Sequence, residues 1–174
     1  MSADADEEPG LTRLRAMPLT EAEAVLFTCC ASKEWASAVA ARLPACTSLG
    51  ALLGVAEQAW WALSPDHWRE ALNAHPKIGD RTAAGSTEGR EQSAMETAGP
   101  ALREAIAEGN LAYEQRFAMT YVVRAAGRSP AEMLLILRER LENDPEAELR
   151  VASAQQVEIT RVRLVALLDE AAGA

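Results

Sequence analysis

Apolar residues recur at helical spacing along most of the chain, and they seldom alternate with polar residues as strands require. The stretch from Leu49 to Leu63 is apolar on most of its sides and follows a capping serine, Ser48. Such a pattern is typical of a central helix that its neighbours cover. Aromatic residues make up only 5% of the chain, so strands have little from which to form. The pattern predicts an all-α protein.

Capping residues and breakers divide this pattern into helices. Thr20 with Glu23, and Ser129 with Glu132, are each predicted to form a capping box that satisfies backbone N–H groups of the first turn. Proline at the first helical position and glycine past the last one mark other boundaries. Helices are predicted over 20–30, 32–43, 49–63, 65–75, 90–97, 100–107, 109–125, 130–141 and 145–171. The fold class is then an irregular single-domain bundle of about seven or more helices.

The chain has 174 residues, which suits one domain because single cores typically serve chains of roughly 100–200 residues. Residues 1–10 are acidic and carry no cap, so we expect a flexible leader without a function of its own. Residues 11–174 are expected to form a single helical domain.

One long loop interrupts the helical pattern between His75 and Gly89. It begins with the string HPKIGD and contains Pro76 and glycines at 79, 85 and 89. Loops of this length are uncommon in compact domains and usually have a function. The loop is therefore the first place to look for a site.

Charge and cysteine usage exclude several classes of function. Acidic residues outnumber basic ones by 26 to 17, giving a net charge of −9, so we expect no binding to nucleic acid or to an anionic membrane. No apolar run approaches the roughly 20 residues of a membrane span. Cys29, Cys30 and Cys46 form neither a disulfide framework nor a zinc spacing, and we expect buried thiols and no metal site.

These features favour a cytoplasmic protein. Free thiols suit a reducing compartment. The first ten residues lack the apolar core of a signal peptide, and the final residues Ala172, Gly173 and Ala174 are not a peroxisomal signal. A bacterial cytoplasm is the expected setting.

Only two histidines are available for acid–base chemistry near neutral pH. His67 occupies the first turn of a predicted helix, where an exposed polar side chain is ordinary. His75 lies where a helix meets Pro76 and opens the long loop. From position alone, His75 is either catalytic or a helix C-terminal histidine that complements the helix dipole.

Two further pairs of polar residues could belong to a site, and each pair also has a purely structural interpretation. Glu91 and Gln92 begin the helix after the loop, where they could read an N–H-rich heterocycle or could simply complement the dipole and face solvent. Arg161 and Arg163 lie among apolar residues of the last helix, so each either extends from the core to solvent or points into a cavity. Periodicity does not choose between the two arginines.

Several motifs in order give the chain a family likeness. They are AHPKIGDR at 74–81, REQ at 90–92, AAGRS at 125–129 and EITRVRL at 158–164, with CC-x-S-x-x-W at 29–35 and NDPEAELR at 143–150. In these motifs and their spacing the chain resembles the OHCU decarboxylases, which act on 2-oxo-4-hydroxy-4-carboxy-5-ureidoimidazoline (OHCU) in urate degradation. The likeness extends over nearly the whole chain.

The resemblance implies an all-helical, cofactor-free carboxy-lyase, commonly a homodimer, that converts OHCU to (S)-allantoin and CO2. At the matching positions it implies that His75, Glu91 and Arg163 are catalytic and that Pro76 and Gln92 bind the substrate. The predicted domain over 11–174 would then be the catalytic domain.

The resemblance also covers an aromatic wall and one departure from the family pattern. Phe117 and Tyr121 are what this chain retains of the aromatic residues before AAGRS, and they are expected to bind the substrate. Glu88 stands where the family usually has a serine, so either Ser86 or Ser93 supplies that contact or the contact is lost.

Two other classes of function use the same features. A non-catalytic helical interaction module would explain the bundle and the acidic surface, although it gives no reason for the long HP-initiated loop. Another cofactor-free lyase or hydrolase acting on a cyclic ureide would use the same residue types.

Overall fold

Every regular element is helical in the computed structural model, which describes residues 8–79, 98–125 and 127–172. The all-α prediction is confirmed. Among these helices none combines the length and the apolar character that a bilayer crossing demands. The eight α-helices of the described residues are α1 (Pro9–Ala16), α2 (Leu19–Cys29), α3 (Lys33–Ala40), α4 (Leu49–Trp61), α5 (Pro65–Asn73), α6 (Pro100–Phe117), α7 (Pro130–Arg140) and α8 (Pro145–Ala172), with a 3₁₀ turn at Leu43–Ala45.

The helices group into two compact units. The first unit comprises the residues up to Trp68 together with those from Val157 onward, and the second unit comprises Arg69–Gln156. Both α5 and α8 therefore contribute residues to each unit. The single domain expected for residues 11–174 stays a prediction.

Two tryptophans occupy the core of the first unit. Trp35 and Trp60 are almost completely buried, and rings of this size contribute much of the apolar area that a core removes from water. The indole Nε1–H of Trp35 donates to the carbonyl oxygen of Ala56 at 2.9 Å, which ties α3 to α4. The ring of Trp60 stacks on that of Trp68, with centroids 6.3 Å apart. The α3–α4 pair is thereby fixed by both packing and a buried hydrogen bond.

The chain becomes helical earlier than the sequence indicates. Pro9 and Gly10, which were expected in the flexible leader, form the first turn of α1. Gly10 is buried, and a Cβ atom at this position would overlap the carbonyl group of Leu168. The close approach of two backbones therefore requires glycine here, and the turn is stabilised by packing that the local sequence does not reveal.

A buried polar network holds the second unit together. The Arg140 guanidinium lies 2.6 Å from the Glu148 carboxylate and donates to the carbonyl oxygen of Val122 at 2.7 Å. The Tyr113 hydroxyl donates to the same carboxylate. The Arg140 Cζ atom lies 4.9 Å from the ring centroid of Tyr121, a cation–π distance. Since each nitrogen of the guanidinium donates to an acceptor, the charges are tolerated away from water.

The two helices predicted over 100–107 and 109–125 are wrong in their bounds. One continuous helix, α6, runs through Gly109, and that glycine allows the close approach of Leu137. A Cβ at Gly109 would lie 2.5 Å from Leu137 Cδ2, so glycine serves packing and does not end the helix. The helix ends at Phe117, where Ala118 adopts a left-handed conformation with φ of 52°. The helix predicted over 90–97 lies outside the described residues.

Residues 118–125 are non-helical because side chains from other elements bind their backbone. Asn73 Oδ1 accepts the N–H of Thr120 at 2.9 Å, and Gln155 Oε1 accepts the N–H of Arg124 at 3.0 Å. Most of the segment is buried, so these hydrogen bonds replace those that a helix would have provided. Tertiary contacts therefore outweigh the helical propensity of residues 118–125.

Most predicted helix caps are confirmed. The Ser32 and Ser48 hydroxyls each accept a backbone N–H of their first turn, at 3.2 Å in both cases. Ser129 and Glu132 form the predicted capping box, and Asp144 Oδ1 accepts the N–H of Ala147 at 3.0 Å. The helices α3, α4 and α5 end two or three residues earlier than predicted, which is ordinary for helix ends.

The capping box predicted for Thr20 and Glu23 is wrong. The helix α2 begins at Leu19 with Pro18 at the capping position, and no side chain caps it. The Glu23 carboxylate instead accepts a hydrogen bond from the Ser37 hydroxyl at 2.7 Å. The Glu23 carboxylate, which the local pattern assigns to the cap of α2, is thus used in a contact with α3.

We expect Glu148→Gln to lower the free energy of unfolding by about 3–5 kcal/mol, because it leaves the buried Arg140 cation without its carboxylate. Urea denaturation at neutral pH, followed by circular dichroism, measures this change. The matched control is Glu146→Gln, since Glu146 is exposed in the first turn of the same helix. A Glu148→Gln variant no less stable than this control would contradict the assignment.

Candidate active site

His75 lies just beyond the C-terminal end of α5. Its backbone N–H donates to the carbonyl oxygen of Leu72 at 3.2 Å, which continues the helical turn by one hydrogen bond. Pro76 follows and has no N–H with which to extend the helix. Both residues are half-buried. The imidazole is therefore attached to a rigid helix end and not to the middle of a loop.

The His75 ring is bound by a glutamine of α8. His75 Nε2 lies 2.5 Å from Gln156 Oε1, and both residues belong to the second unit. Gln156 is fully buried, with 0% of its surface exposed. A buried amide has little rotational freedom, so this hydrogen bond restricts the orientation of the ring.

The residues after Pro76 are fastened to α6. Lys77 Nζ lies 2.9 Å from the Glu114 carboxylate. The buried Asn110 side chain donates to the carbonyl oxygen of Ile78 at 2.9 Å. Gly79 has φ of 93°, a conformation that favours glycine. An exposed ion pair and a hydrogen bond from the buried Asn110 thus hold the first part of the HPKIGD string against α6.

Phe117 and Tyr121, which were expected to bind substrate, both pack on the ring of Tyr113. The ring centroids lie 4.8 Å and 5.3 Å from that of Tyr113. The Tyr121 hydroxyl donates to the carbonyl oxygen of Met133 at 3.1 Å, and burial raises its pKa to about 12. The two rings therefore stabilise the second unit, and their contact with substrate stays a prediction.

Burial distinguishes the two arginines of α8 that periodicity does not. Arg163 is 6% exposed, and its Nη1 donates to the carbonyl oxygen of Thr28 at 3.4 Å, within the first unit. Arg161 is exposed and pairs with Glu57 at 3.3 Å. Arg163 is therefore the buried arginine of the pair, and its catalytic role stays a prediction.

The cysteines beside Arg163 are buried and free, as predicted. Burial raises the pKa of Cys29 to about 11 and that of Cys30 to about 12, although the Arg163 cation acts in the opposite direction. The thiols therefore stay protonated near neutral pH. They add no negative charge beside the guanidinium.

His67 is half-buried and makes contacts within the first unit. Its Nδ1 lies 3.2 Å from the Ser64 hydroxyl, and its Nε2 lies 3.8 Å from a carboxylate oxygen of Glu34. Both contacts are ordinary for a polar residue in the first turn of a helix. His67 thus serves as an internal comparison for His75.

The remaining predicted site residues lie outside the described residues. They are the substrate-reading pair Glu91 and Gln92, and the three candidates for the serine contact, Ser86, Glu88 and Ser93. Their roles stay predictions.

Comparison with known proteins decides the family. The sequence model described as OHCU decarboxylase matches residues 15–165, which is most of the chain. The chain belongs to the OHCU decarboxylase family. The resemblance seen in the motifs is thereby confirmed, and the matched range contains both His75 and Arg163.

A curated relative and two solved structures are similar to this OHCU decarboxylase family member. The uric acid degradation bifunctional protein TTL of Arabidopsis thaliana is 32% identical over 152 residues, which cover 83% of this chain and 46% of that protein. This chain thus spans about half the length of that relative. A crystal structure of OHCU decarboxylase in the presence of (S)-allantoin aligns with a TM-score of 0.70 at 31% identity, covering 82% of this chain and 96% of the other. An (S)-allantoin synthase structure shares the fold, with a TM-score of 0.72 at 21% identity over 90% of this chain and 53% of its own.

Two residues around the histidine of this OHCU decarboxylase family member escape sequence reasoning. Gln156 sits in a run of polar and small residues that indicates only a helix surface, and Asn110 lies in the first turn of the helix predicted over 109–125. Both are buried and hydrogen-bonded to the HPKIGD region, Gln156 to the ring and Asn110 to the backbone. A polar residue that the three-dimensional packing buries has no local signal in a single sequence.

Proposed function

We propose that this chain is a carboxy-lyase that converts OHCU to (S)-allantoin and CO2 in urate degradation, without a cofactor. The observation that carries the proposal is the family match over residues 15–165, which includes His75 at the end of α5 and Arg163 in α8. The structure of OHCU decarboxylase in the presence of (S)-allantoin, at 31% identity, supports the same reaction.

The chemistry of the substrate explains why side chains alone suffice. Loss of CO2 leaves an electron pair on carbon, and the neighbouring imine and ureido groups of OHCU can take it up. An external electron sink such as pyridoxal phosphate is then unnecessary. The protein must hold the carboxylate, stabilise the charge that develops on the ring, and deliver one proton to one face.

His75 is the proton carrier in this proposal. An imidazole can both accept and donate a proton near neutral pH. The ring is held by Gln156, and the backbone that follows it is held through Ile78 and Lys77. A proton donor fixed on one side of the substrate accounts for a product of one handedness.

The substrate is bound in this proposal by the polar side chains of Arg163, Glu91 and Gln92. A guanidinium binds a carboxylate through two parallel hydrogen bonds, which suits the carboxylate of OHCU or the charge left on its departure. Glu91 accepts N–H groups of the ring and the ureido arm, and Gln92 both donates and accepts. The buried environment of Arg163 strengthens such contacts, because little water competes for the guanidinium.

Pro76, Phe117 and Tyr121 complete the proposed binding set. Pro76 fixes the backbone beside the histidine, since its ring locks one dihedral angle. Phe117 and Tyr121, joined through the ring of Tyr113, would form an apolar wall. Such a wall excludes water from the developing carbanion.

We further propose a cytoplasmic homodimer. Three buried free thiols suit a reducing compartment. Leu19 and Phe27 of α2 are 56% and 40% exposed, and a second copy of the chain would cover such side chains. Light scattering would give twice the chain mass of 18.7 kDa for the dimer, and the single mass at working concentration would contradict it.

The decisive assay uses OHCU generated freshly by oxidation and hydrolysis of urate. We expect the purified protein to accelerate the appearance of optically active allantoin, followed by circular dichroism. An interaction module would leave the spontaneous rate unchanged. A different cyclic-ureide lyase or hydrolase would leave OHCU untouched but consume other rings.

His75→Asn should lower kcat for OHCU by roughly 10²–10⁴-fold, because the proton carrier is lost. Helical content should not change, since asparagine can occupy a helix end. Steady-state kinetics with a far-ultraviolet dichroism spectrum of the same sample give both values.

The matched control is His67→Asn, which should keep parental kinetics within a factor of about two. It removes the only other histidine of the chain. Equal activity of the two variants would exclude His75 as the proton carrier.

Arg163→Lys should lower kcat/KM by roughly tenfold or more although the charge is kept, because lysine lacks the planar two-point contact. Arg161→Lys should have little effect, since Arg161 is exposed and pairs with Glu57. Kinetics of both variants at one pH, with thermal unfolding to confirm folding, make the comparison. The opposite ranking would contradict the assignment of Arg163.

A further inference from the structure

We propose that Gln156 is a positioning residue that fixes His75 in the ring tautomer with the proton on Nε2. The basic lone pair is then on Nδ1, and Nδ1 is the atom that exchanges a proton with the substrate. The catalytic part of this inference rests on the function proposed above. The tautomer is a property of the protein without substrate.

The chemistry of the contact carries the assignment. Gln156 Oε1 lies 2.5 Å from His75 Nε2, which is hydrogen-bond distance. A carbonyl oxygen only accepts, so the hydrogen between these atoms belongs to the histidine. A neutral imidazole with a hydrogen on Nε2 has its lone pair on Nδ1.

The surroundings keep the amide in place. Gln156 is fully buried in α8, and its neighbour Gln155 accepts the backbone N–H of Arg124 at 3.0 Å and lies 3.3 Å from a side-chain nitrogen of Arg128. This part of α8 is therefore anchored within the second unit independently of His75. The carbonyl of Gln156 meets the ring from a fixed position.

An amide in this position differs from a carboxylate in its effect on the ring. A carboxylate would orient the imidazole and would also stabilise its protonated form. An amide orients the ring without adding a charge. Gln156 thus selects the tautomer with its lone pair on Nδ1, without adding a charge that would favour the protonated ring.

The test is nitrogen NMR of the ¹⁵N-labelled protein without substrate, at a pH where the imidazole is neutral. Long-range ¹H–¹⁵N spectra distinguish a ring nitrogen that carries hydrogen from one that carries a lone pair. The chain has two histidines, so the His67→Asn variant assigns the remaining ring to His75. We expect hydrogen on Nε2 and a lone pair on Nδ1. The reverse pattern, or an even mixture, in the parent protein would overturn the proposal without any variant.

Variants then connect the tautomer to turnover. Gln156→Glu keeps an acceptor for Nε2–H and should keep the tautomer. Gln156→Leu removes the acceptor at similar volume, so both tautomers should appear and kcat should fall roughly 10–100-fold with little change in KM. A Gln156→Leu variant with a parental tautomer, or one with parental kcat and mixed tautomers, would overturn the positioning role.

The matched control is Gln58→Leu, which changes the same residue type at an exposed position of α4 in the first unit. It should leave the ring signals of His75 at their parental positions. Failure of the protein to decarboxylate OHCU would refute the proposed function while the NMR result stood by itself. The two proposals therefore fail separately.

Discussion

The guanidinium of Arg140 is buried with its donors directed at the Glu148 carboxylate, the Tyr113 hydroxyl and the carbonyl oxygen of Val122. A buried cation is tolerated only when acceptors surround it, so this one group fixes the positions of three others. It joins α6, α7 and α8 of the second unit to the non-helical residues 118–125. The three helices and this segment therefore meet at one buried group.

The same constraint reaches His75, the proposed proton carrier, through the geometry of α8. Gln155 and Gln156 follow Glu148 by about two turns of helix at 3.6 residues per turn, so all three face one side of α8. Once Glu148 is bound to Arg140, Gln155 meets the backbone of Arg124 and Gln156 meets the ring of His75. A structural ion pair and a positioning amide thus share one helix face.

The proposed reaction places modest demands on such a scaffold. OHCU contains its own electron acceptor, so the protein need only bind an anion, read N–H groups and move one proton. One histidine, one buried arginine and a few polar residues meet those needs. Different arginines serve stability and the proposed substrate binding. Arg140 stabilises the second unit, whereas Arg163 is buried in the first.

The family resemblance predicts more of the site than local patterns do. His75 stood out by its position before Pro76, yet its position alone left a dipole role open. The motifs in order favour the catalytic role, which stays a prediction, and the match over residues 15–165 confirmed the family. The same motifs singled out Arg163. That choice agrees with the burial of Arg163, because Arg161 is exposed.

The sequence by itself determined the helical class, the caps at Ser32, Ser48 and Ser129, and the candidate histidine, because these depend on periodicity and on residues a few positions apart. Only the tertiary structure decided that the helix through Gly109 is continuous, that 118–125 leaves the helix, and that Gln156 is buried against His75. Each of these outcomes depends on a partner far along the chain, such as Leu137 for Gly109, or Asn73 and Gln155 for 118–125. Local propensity carries no information about such partners, since only packing brings them within hydrogen-bond or van der Waals distance.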